Sequence, residues 1–578
     1  MYRCEYPRPQ FMRDDWDNLN GLWEFEMDLG DSGMDRGLSG ANFKYSREIN
    51  VPFCPESDLS GIGYKDFMAA VWYRRTVNIP EEKLAGKVIL HFGAVDYECT
   101  IYVNGEKAGT HLGGYSSFSF DVTQYLKAGE NLLVVQARDD MRSGKQPTGK
   151  QSKLFSSFAC FYTRTTGIWQ TVWLEYTSNH YLKNVHTIAN AFSGILSFAA
   201  EVESEAAKPI LRTTVSYHGK AVSQIDVPVH NGTANYAITI KKPQLWDVGQ
   251  PELYDLTYEL IVGDKILDKV FSYCGFRTIE LKNHAFYLNG RPLFQRLILD
   301  QGFYPDGIYT APSDDELKKD ILLSMQLGFN GARLHQKVFE ERYLYWADRL
   351  GYLVWGEQGS WGLDITNPEG LMNFLPEWQE AVQRDINHPS LIGWCPFNET
   401  SDREIQDDRI LEIVYQVTKS IDPTRPIIDT SGYFHVVTDI FDVHDYEQNP
   451  QVFSEHYSST SPEHIFDERE YRQHYAGQPF FVSEYGGAWW SSEDKDGWGY
   501  GDSPRTQEEF ADRYCSLTGV LLDNEYTCAF CYTQLYDVEQ EQNGLYTYKR
   551  EPKFGPEIYE RIAASNCRTA KIERKGEG

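Results

Sequence analysis

From residue 278 onward the chain alternates short apolar runs with amphipathic helical stretches, and no other pattern in it restricts the fold so tightly. Eight apolar runs lie at 294–300, 329–335, 352–358, 391–398, 426–431, 441–446, 480–485 and 528–536. Helix signals separate most of them; the short gap between the fifth and sixth runs and the long loop after the seventh are the exceptions. Ser313-Asp314-Asp315-Glu316 reads as a capping box opening the amphipathic stretch 315–328, and Gly328 closes it as a residue that tolerates positive φ. Gly351 ends the next helix in the same way. Eight β/α alternations predict a (β/α)8 TIM barrel over 278–578. A doubly wound sheet is the alternative, but no Gly-rich phosphate turn follows the first run.

The preceding residues carry a different rhythm. KVILHFGAV (87–95), TIYVNGEKAGTH (100–111), SSFSFDV (116–122), NLLVVQAR (131–138) and QTVWLEY (170–176) are strand patterns with almost no helical periodicity between them. Asn104-Gly105 is a strong hairpin signal, because both residues accept φ > 0. Residues 1–178 therefore predict a jelly-roll β-sandwich, and 179–277, with shorter strands of the same style, an immunoglobulin-like β-sandwich. The expected protein is thus multidomain, with two sandwiches followed by a barrel.

Charge narrows the partners. With 84 acidic and 55 basic residues the net charge is −29, which repels phosphate backbones, so no nucleic acid partner is expected. The acidic residues are dispersed rather than gathered in a tail, as suits a soluble folded chain. No run of 18 apolar residues is present, so no membrane span is expected. The stretch MYRCEYPRPQFMRDDW has no apolar h-region and is not read as a secretion signal. The 10 cysteines are scattered, and the lone Cys528/Cys531 pair reads as part of a buried strand rather than a zinc site. Free thiols and a cytoplasmic location are the expectation. Aromatic residues reach 14%; most must fill cores, but ring faces also suit the C–H faces of sugars.

A TIM barrel places its chemistry at the C-terminal ends of the strands. Those ends carry Arg333 and His335, Glu357, Asn398-Glu399, His444 and Tyr446, Glu484-Tyr485, and Gln534 with Asp537. Glu399 and Glu484 stand out. Each directly follows an almost wholly apolar run, where a carboxylate is costly unless something uses or pairs it. Runs four and seven lie nearly opposite in an eight-stranded barrel. Two carboxyl groups facing one another across a pocket are what glycoside hydrolysis needs. The bland alternative is that each is closed off by Arg333 or another base.

At this point the chain resembles glycoside hydrolase family 2, the family of β-galactosidases, β-glucuronidases and β-mannosidases. YPRPQ and WDNLNGLWEFEMD (6–28), YVNGEKAGTHLGGYSSFSFDVT (102–123) and TTGIWQTVWLE (165–175) look like its sugar-binding domain. SLIGWCPFNE (390–399) is similar to its acid/base motif and PFFVSEYGG (479–487) to its nucleophile motif. The resemblance covers essentially the whole chain and implies a retaining enzyme with Glu484 as nucleophile and Glu399 as acid/base. It implies carboxyl groups about 5–5.5 Å apart, with Glu399 protonated at rest. Asn398 resembles the family residue that binds the sugar 2-OH, Arg333 the one that holds the nucleophile, and Tyr446 the tyrosine beside it. His335 and His444 are candidate donors to sugar hydroxyls or structural histidines of the rim. Trp489 and Trp490 either stack on sugar or form an apolar plug. The resemblance also allows a homo-oligomer.

The sugar is less legible. The family's β-glucuronidases grip the substrate carboxylate with an Asn-x-Lys near strand eight. EQEQNGLYTYKR (539–550) has Asn543-Gly544-Leu545 there, without the lysine. Lys337 or Arg342 could serve a uronate by another route, or be solvated charges. GEQGSWG (356–362) lacks the histidine of the family's magnesium site, so no metal and no cofactor are expected. Asp300 or Asp306 could contact sugar where the large β-galactosidases have other residues. A terminal β-galactoside is the first expectation and a β-uronide (galacturonide or glucuronide) the alternative, within an oligosaccharide or other β-glycoside. A carbohydrate-binding protein without catalysis is the reading from another class.

Overall fold

The computed structural model describes residues 3–400, 406–491 and 497–576. Its first layer pair is a sandwich of a six-stranded antiparallel sheet, ordered 47–51, 21–28, 70–79, 129–138, 98–103 and 106–112, and a four-stranded sheet ordered 16–18, 172–177, 87–92 and 118–121. Alternating residues such as Phe25, Val71, Tyr73, Leu90, Ile101, Val135 and Leu174 meet between the sheets. Asn104 and Gly105 both have positive φ (53° and 86°), as the hairpin signal requires. A smaller sandwich follows, three strands (181–190, 195–203, 233–239) against four (220–228, 210–217, 254–262, 265–274). Leu196, Phe198, Leu211, Val215 and Tyr258 fill it.

The remainder is a barrel. Its strands are β1 (Gln295–Asp300), β2 (Gly331–Leu334), β3 (Leu353–Glu357), β4 (Leu391–Cys395, resumed at Phe397–Asn398), β5 (Thr430–Ser431), β6 (Phe441–Asp445), β7 (Phe480–Tyr485) and β8 (Thr527–Tyr532). β4-β3-β2-β1-β8-β7-β6 form one parallel sheet, and β5 bridges the gap by pairing with Phe397 and Asn398. The helices are α1 (Asp314–Gln326), α2 (Glu341–Leu350), α3 (Leu371–Asp385), α4 (Asp408–Ile421), α5 (Pro450–Tyr457), α6 (Gln507–Leu522) and α7 (Pro556–Asn566). No α-helix stands between β5 and β6, the place where the sequence alternation is weakest. Ser313 caps α1, accepting from the Glu316 backbone N–H at 3.3 Å, and Gly351 ends α2 at φ +69°. Cys528 and Cys531 are buried thiols of β8. Among the described residues no helix is long and apolar enough to cross a membrane.

A long loop of the first sandwich reaches the barrel mouth. Between the strands at 129–138 and 167–168 the chain leaves the sheet and docks on the loops after β3 and β8. Thr148 N–H donates to the Trp361 carbonyl at 2.7 Å, Gly149 N–H to the Gly359 carbonyl at 2.9 Å, and Thr163 N–H to the Glu539 carboxylate at 3.0 Å. Gly149 sits at φ +55°, and a Cβ there would lie 2.3 Å from the Gln336 carbonyl oxygen. Glycine is the residue that lets the two backbones touch.

Candidate active site

The barrel brings Glu399 and Glu484 together. One carboxylate oxygen of each, with a ring nitrogen of His444, fall within 4.8 Å of one another. Glu484 projects from β7 and is almost buried, 6% of its side chain exposed; Glu399, just past β4, keeps 19% and faces the cleft. Glu399 takes a left-handed backbone conformation, φ +44°, and its N–H is tied to the Ser431 carbonyl of β5 at 2.9 Å. Strain of this kind in a non-glycine residue persists only where the surroundings hold it, and it gathers at functional sites.

The neighbours fix Glu484. Arg333, 1% exposed, donates to its Oε1 at 3.2 Å and to the Ser483 carbonyl at 2.8 Å. The same guanidinium donates to Glu357 (2.9 Å) and to Asn398 Oδ1 (3.1 Å). Tyr446 donates its hydroxyl to Glu484 Oε2 and stacks on Tyr500. Burial would raise the Glu484 carboxyl, and Glu399 adds to that; His444, His335 and Arg333 outweigh both and leave it below the ordinary carboxylate value. Asn398 has its oxygen on Arg333, and its amide nitrogen has no partner among the described residues, so it is free to donate into the site.

His444 is engaged by the pair itself. Its Nδ1 is 2.6 Å from Glu399 Oε1 and 3.4 Å from Glu484 Oε2, and its Nε2 is 3.1 Å from Ser431 Oγ. Ser431 Oγ also lies 2.7 Å from Asp442 Oδ2 and 3.2 Å from Ser483 Oγ, so the imidazole stands in a chain of polar groups. A contact of 2.6 Å between Nδ1 and Glu399 Oε1 requires one proton between the two atoms. Burial pushes the Glu399 carboxyl up, but the hydrogen bond and charge of His444, helped by Lys150 and His335, bring it down to about 2. Glu399 and His444 thus share the proton that the resemblance places on Glu399 alone.

His335 stays close to the nucleophile, its Nδ1 3.9 Å from Glu484 Oε1, while the other expected residues lie further from the chemistry. His335 is buried with Nδ1 2.9 Å from Glu357 Oε1 but without hydrogen-bond alignment. Burial lowers its imidazole below the ordinary value. Asp300 is wholly buried, its oxygens taken by the Gly302 N–H and the Tyr536 and Tyr343 hydroxyls. Lys337 is neither solvated nor presented to the cleft: it donates to the Gly302 and Tyr309 carbonyls, and burial brings it down to about 7. Arg342 pairs bidentately with Asp314, and Asp306 is exposed. Trp490 stacks on Phe554, as a plug would; Trp489 and Trp490 are both half-buried, and neither indole N–H has a partner among the described residues. The one trio with metal-ligand spacing among the described residues is Glu399, His444 and Glu484, where a cation would compete with the proton.

Sequence reasoning missed Lys150. It comes from the docked loop of the first sandwich, is 7% exposed, and sets its ammonium 4.1 Å from the Trp361 ring. Trp361 in turn donates to the Asn398 carbonyl at 2.9 Å. Burial would lower the Lys150 ammonium, but Cys160, Glu541, Glu484 and Glu399 around it hold it above its ordinary value. No carboxylate of the described residues pairs with it directly. Glu541 on the opposite wall is buried and accepts from the Tyr162 hydroxyl and from Asn543 (3.0 Å). The available signal was length: a stretch as long as 139–166 without strand periodicity is unusual in a compact sandwich and is commonly functional.

Comparison with known proteins bears on the family and the fold. The family description "Glycosyl hydrolases family 2, sugar binding domain" matches residues 16–144, "Glycosyl hydrolases family 2" matches 196–277, and "Glycosyl hydrolases family 2, TIM barrel domain" matches 279–562. A putative β-glucuronidase of Formosa agariphila is 28% identical over 515 residues, 84% of this chain and 58% of that protein. A β-galactosidase of Thermoanaerobacter pseudethanolicus is 27% identical over 402 residues, 67% of this chain and 52% of that protein. The chain thus spans little more than half the length of these relatives. The solved β-glucuronidase of Lactobacillus rhamnosus superposes with a TM-score of 0.81 at 19% identity, covering 98% of this chain and 100% of the other. That of Ruminococcus gnavus with D-glucuronic acid gives 0.79 at 19%, with the same coverage. At this identity the superpositions establish a shared fold. With three family descriptions laid along it in order, the chain belongs to glycoside hydrolase family 2.

Proposed function

We propose that the protein is a retaining exo-β-glycosidase in which Glu484 attacks the anomeric carbon and Glu399 serves first as acid and then as base. The observation that carries this is the approach of the two carboxylates to within 4.8 Å, too close to admit the water that an inverting enzyme places between them. Glu484 is held ionised and aimed by Arg333 and Tyr446. As the C–O bond breaks, the proton held between His444 and Glu399 passes to the leaving oxygen. Once Glu484 is esterified its charge is gone, and Glu399, again a carboxylate, takes a proton from the incoming water. The free amide of Asn398 is placed to donate to the sugar 2-OH, a contact that tightens as the oxocarbenium ion develops.

The sugar that fits first is a terminal neutral β-hexoside, foremost a β-galactoside. Lys150 as donor and Glu541 as acceptor can hold neighbouring hydroxyls, and the acid already offsets much of the lysine's charge. A β-uronide is the second reading. The observation behind it is Lys150, a buried cation without a directly paired anion, since Lys337, Arg342 and Arg333 are committed elsewhere. A panel of p-nitrophenyl β-glycosides decides. Galactoside turnover should exceed that of either uronide, and Lys150→Met should lower kcat/KM on the galactoside roughly tenfold. A panel led by a uronide, with Lys150→Met abolishing that activity alone, would put the second reading in place of the first.

A further inference from the structure

Beside the catalytic pair lies a cleft of about 440 Å³ between the docked loop of the first sandwich and the loop after β3. Glu399 is part of its lining and Glu484 is not. In a double displacement the acid/base stands on the leaving-group side of the scissile bond, so this cleft receives what the sugar is attached to. That step rests on the proposed glycosidase function; the chemistry of the cleft wall is independent of it.

Three aromatic rings form that wall. Phe158 and Phe161 stack with centroids 5.2 Å apart, and Phe161 meets Trp361 at the same distance. Leu363 and Ile365 add aliphatic surface. The apolar character continues outward on the same loop: Phe158 is 38% exposed, and its neighbours Leu154 and Phe155 are 56% and 64% exposed. Clustered exposed apolar side chains on one loop, continuous with a cleft, are the ordinary mark of a ligand surface.

Several polar groups of the cleft already have partners within the fold. Ser360 Oγ accepts from the Asn398 N–H (3.2 Å) and from Gln336 (3.2 Å). Asp364 accepts from the Thr366 N–H (2.9 Å) and hydroxyl (2.7 Å). The Thr400 hydroxyl meets that of Thr430 at 3.2 Å. A second sugar ring would find the Lys153 ammonium at the rim and the Ser360 hydroxyl, while the Asn398 amide serves the glycone's 2-OH in the proposed mechanism; the aromatic wall itself offers its hydroxyls no partner. A planar apolar ring loses little on desolvation and packs against the aromatic wall that the partly exposed Phe158 ends.

We infer that this cleft is a leaving-group subsite for planar aryl aglycones, built jointly by the first sandwich and the barrel, and that the natural substrates are aryl β-glycosides rather than β-linked oligosaccharides. The subsite acts only while the aglycone is present. It therefore raises kcat/KM, which reports on formation of the glycosyl-enzyme, and leaves hydrolysis of that intermediate untouched.

The test compares the full-length enzyme with Phe158→Ala and Phe158→Tyr on three substrates bearing the enzyme's preferred sugar: a naphthyl β-glycoside, a methyl β-glycoside and a β-linked disaccharide. Phe158 is partly exposed, so the variants should keep the wild-type melting temperature. Phe158→Ala should lower kcat/KM on the naphthyl glycoside about tenfold and leave the other two within about twofold, and Phe158→Tyr should restore it. An equal loss on the disaccharide would mean that the wall stacks a sugar, and no loss on any substrate would mean that it is not a subsite; either result overturns the inference while the glycosidase reading stands. If the wild-type enzyme cleaves none of the three, the reading beneath it falls as well.

Discussion

His444 shows how one residue can set the behaviour of two others. Lying 2.6 Å from Glu399 and 3.4 Å from Glu484, it is the strongest influence lowering both carboxyls against their burial. A depressed carboxylate stays ionised until the pH falls through its folded value, so His444 extends the working range of the nucleophile toward acid. Its removal in His444→Phe should move the acid limb of the kcat/KM profile to higher pH, as Glu484 becomes harder to ionise. The lost charged hydrogen bond should also reduce kcat/KM roughly ten- to hundredfold. An unchanged acid limb would mean that Arg333 alone keeps Glu484 ionised. This role was not legible in the sequence. A histidine at a strand end reads equally as a sugar donor or a rim residue, and only the arrangement of β6 against β4 and β5 shows that both ring nitrogens are engaged.

At the scale of elements, the site depends on a loop that belongs to another part of the chain. Gly149 lets that loop press onto the Gln336 carbonyl, and the next residue, Lys150, enters the site. In Gly149→Ala the new Cβ would meet a backbone oxygen at 2.3 Å, at a φ that alanine disfavours. The loop should lift, and kcat/KM should fall about tenfold or more, with the barrel's circular dichroism preserved. Wild-type kcat/KM in this variant would show that the loop contributes nothing to catalysis. The elements themselves were largely legible, because helix and strand periods differ and caps mark their ends. Ser313, Gly351 and Asn104-Gly105 do in the structure what their chemistry requires. The fifth barrel run, read as 426–431, pairs with β4 in two pieces, Ile427 bridging Trp394 and Thr430–Ser431 pairing with Phe397 and Asn398, because β4 is itself broken between Cys395 and Phe397. Asp300 and Lys337 were misjudged for a shared reason. Sequence reports that a charge follows an apolar run but not whether a hydroxyl or carbonyl from elsewhere waits for it, and Tyr536, Tyr343, Gly302 and Tyr309 do.

Across the whole molecule, the seam between first sandwich and barrel is rich in buried acid. Glu377 of α3 accepts from the Tyr115 N–H at 2.7 Å, and burial pushes its carboxyl up to about 8. Burial also raises Glu56 to about 8 and Asp139 to about 6. A carboxyl raised in the folded state adds stability below its unfolded value, and that contribution is lost as the pH climbs through the folded one. For Glu377 the window runs from about 4.5 to about 8. The docked arrangement should therefore be firmer at pH 5 than at pH 8, where dispersed negative charge works in the same direction. Glu377→Gln, which keeps the acceptor for Tyr115 and cannot ionise, should raise the melting temperature at pH 8 by about 2 °C and leave it unchanged at pH 5. An equal shift at both pH values would show that ionisation at this seam carries no weight.

The proposed chemistry turns on Glu484 forming a bond to the sugar. Incubation with an activated 2-deoxy-2-fluoro β-glycoside of the preferred sugar, followed by acid quenching and peptide mass spectrometry, observes that bond directly, because the fluorine slows both formation and hydrolysis of the ester while the activated leaving group restores only its formation. One sugar equivalent should appear on the peptide holding Glu484 and be absent in Glu484→Gln. A label on another residue, or complete turnover with inverted configuration and no label, would contradict it.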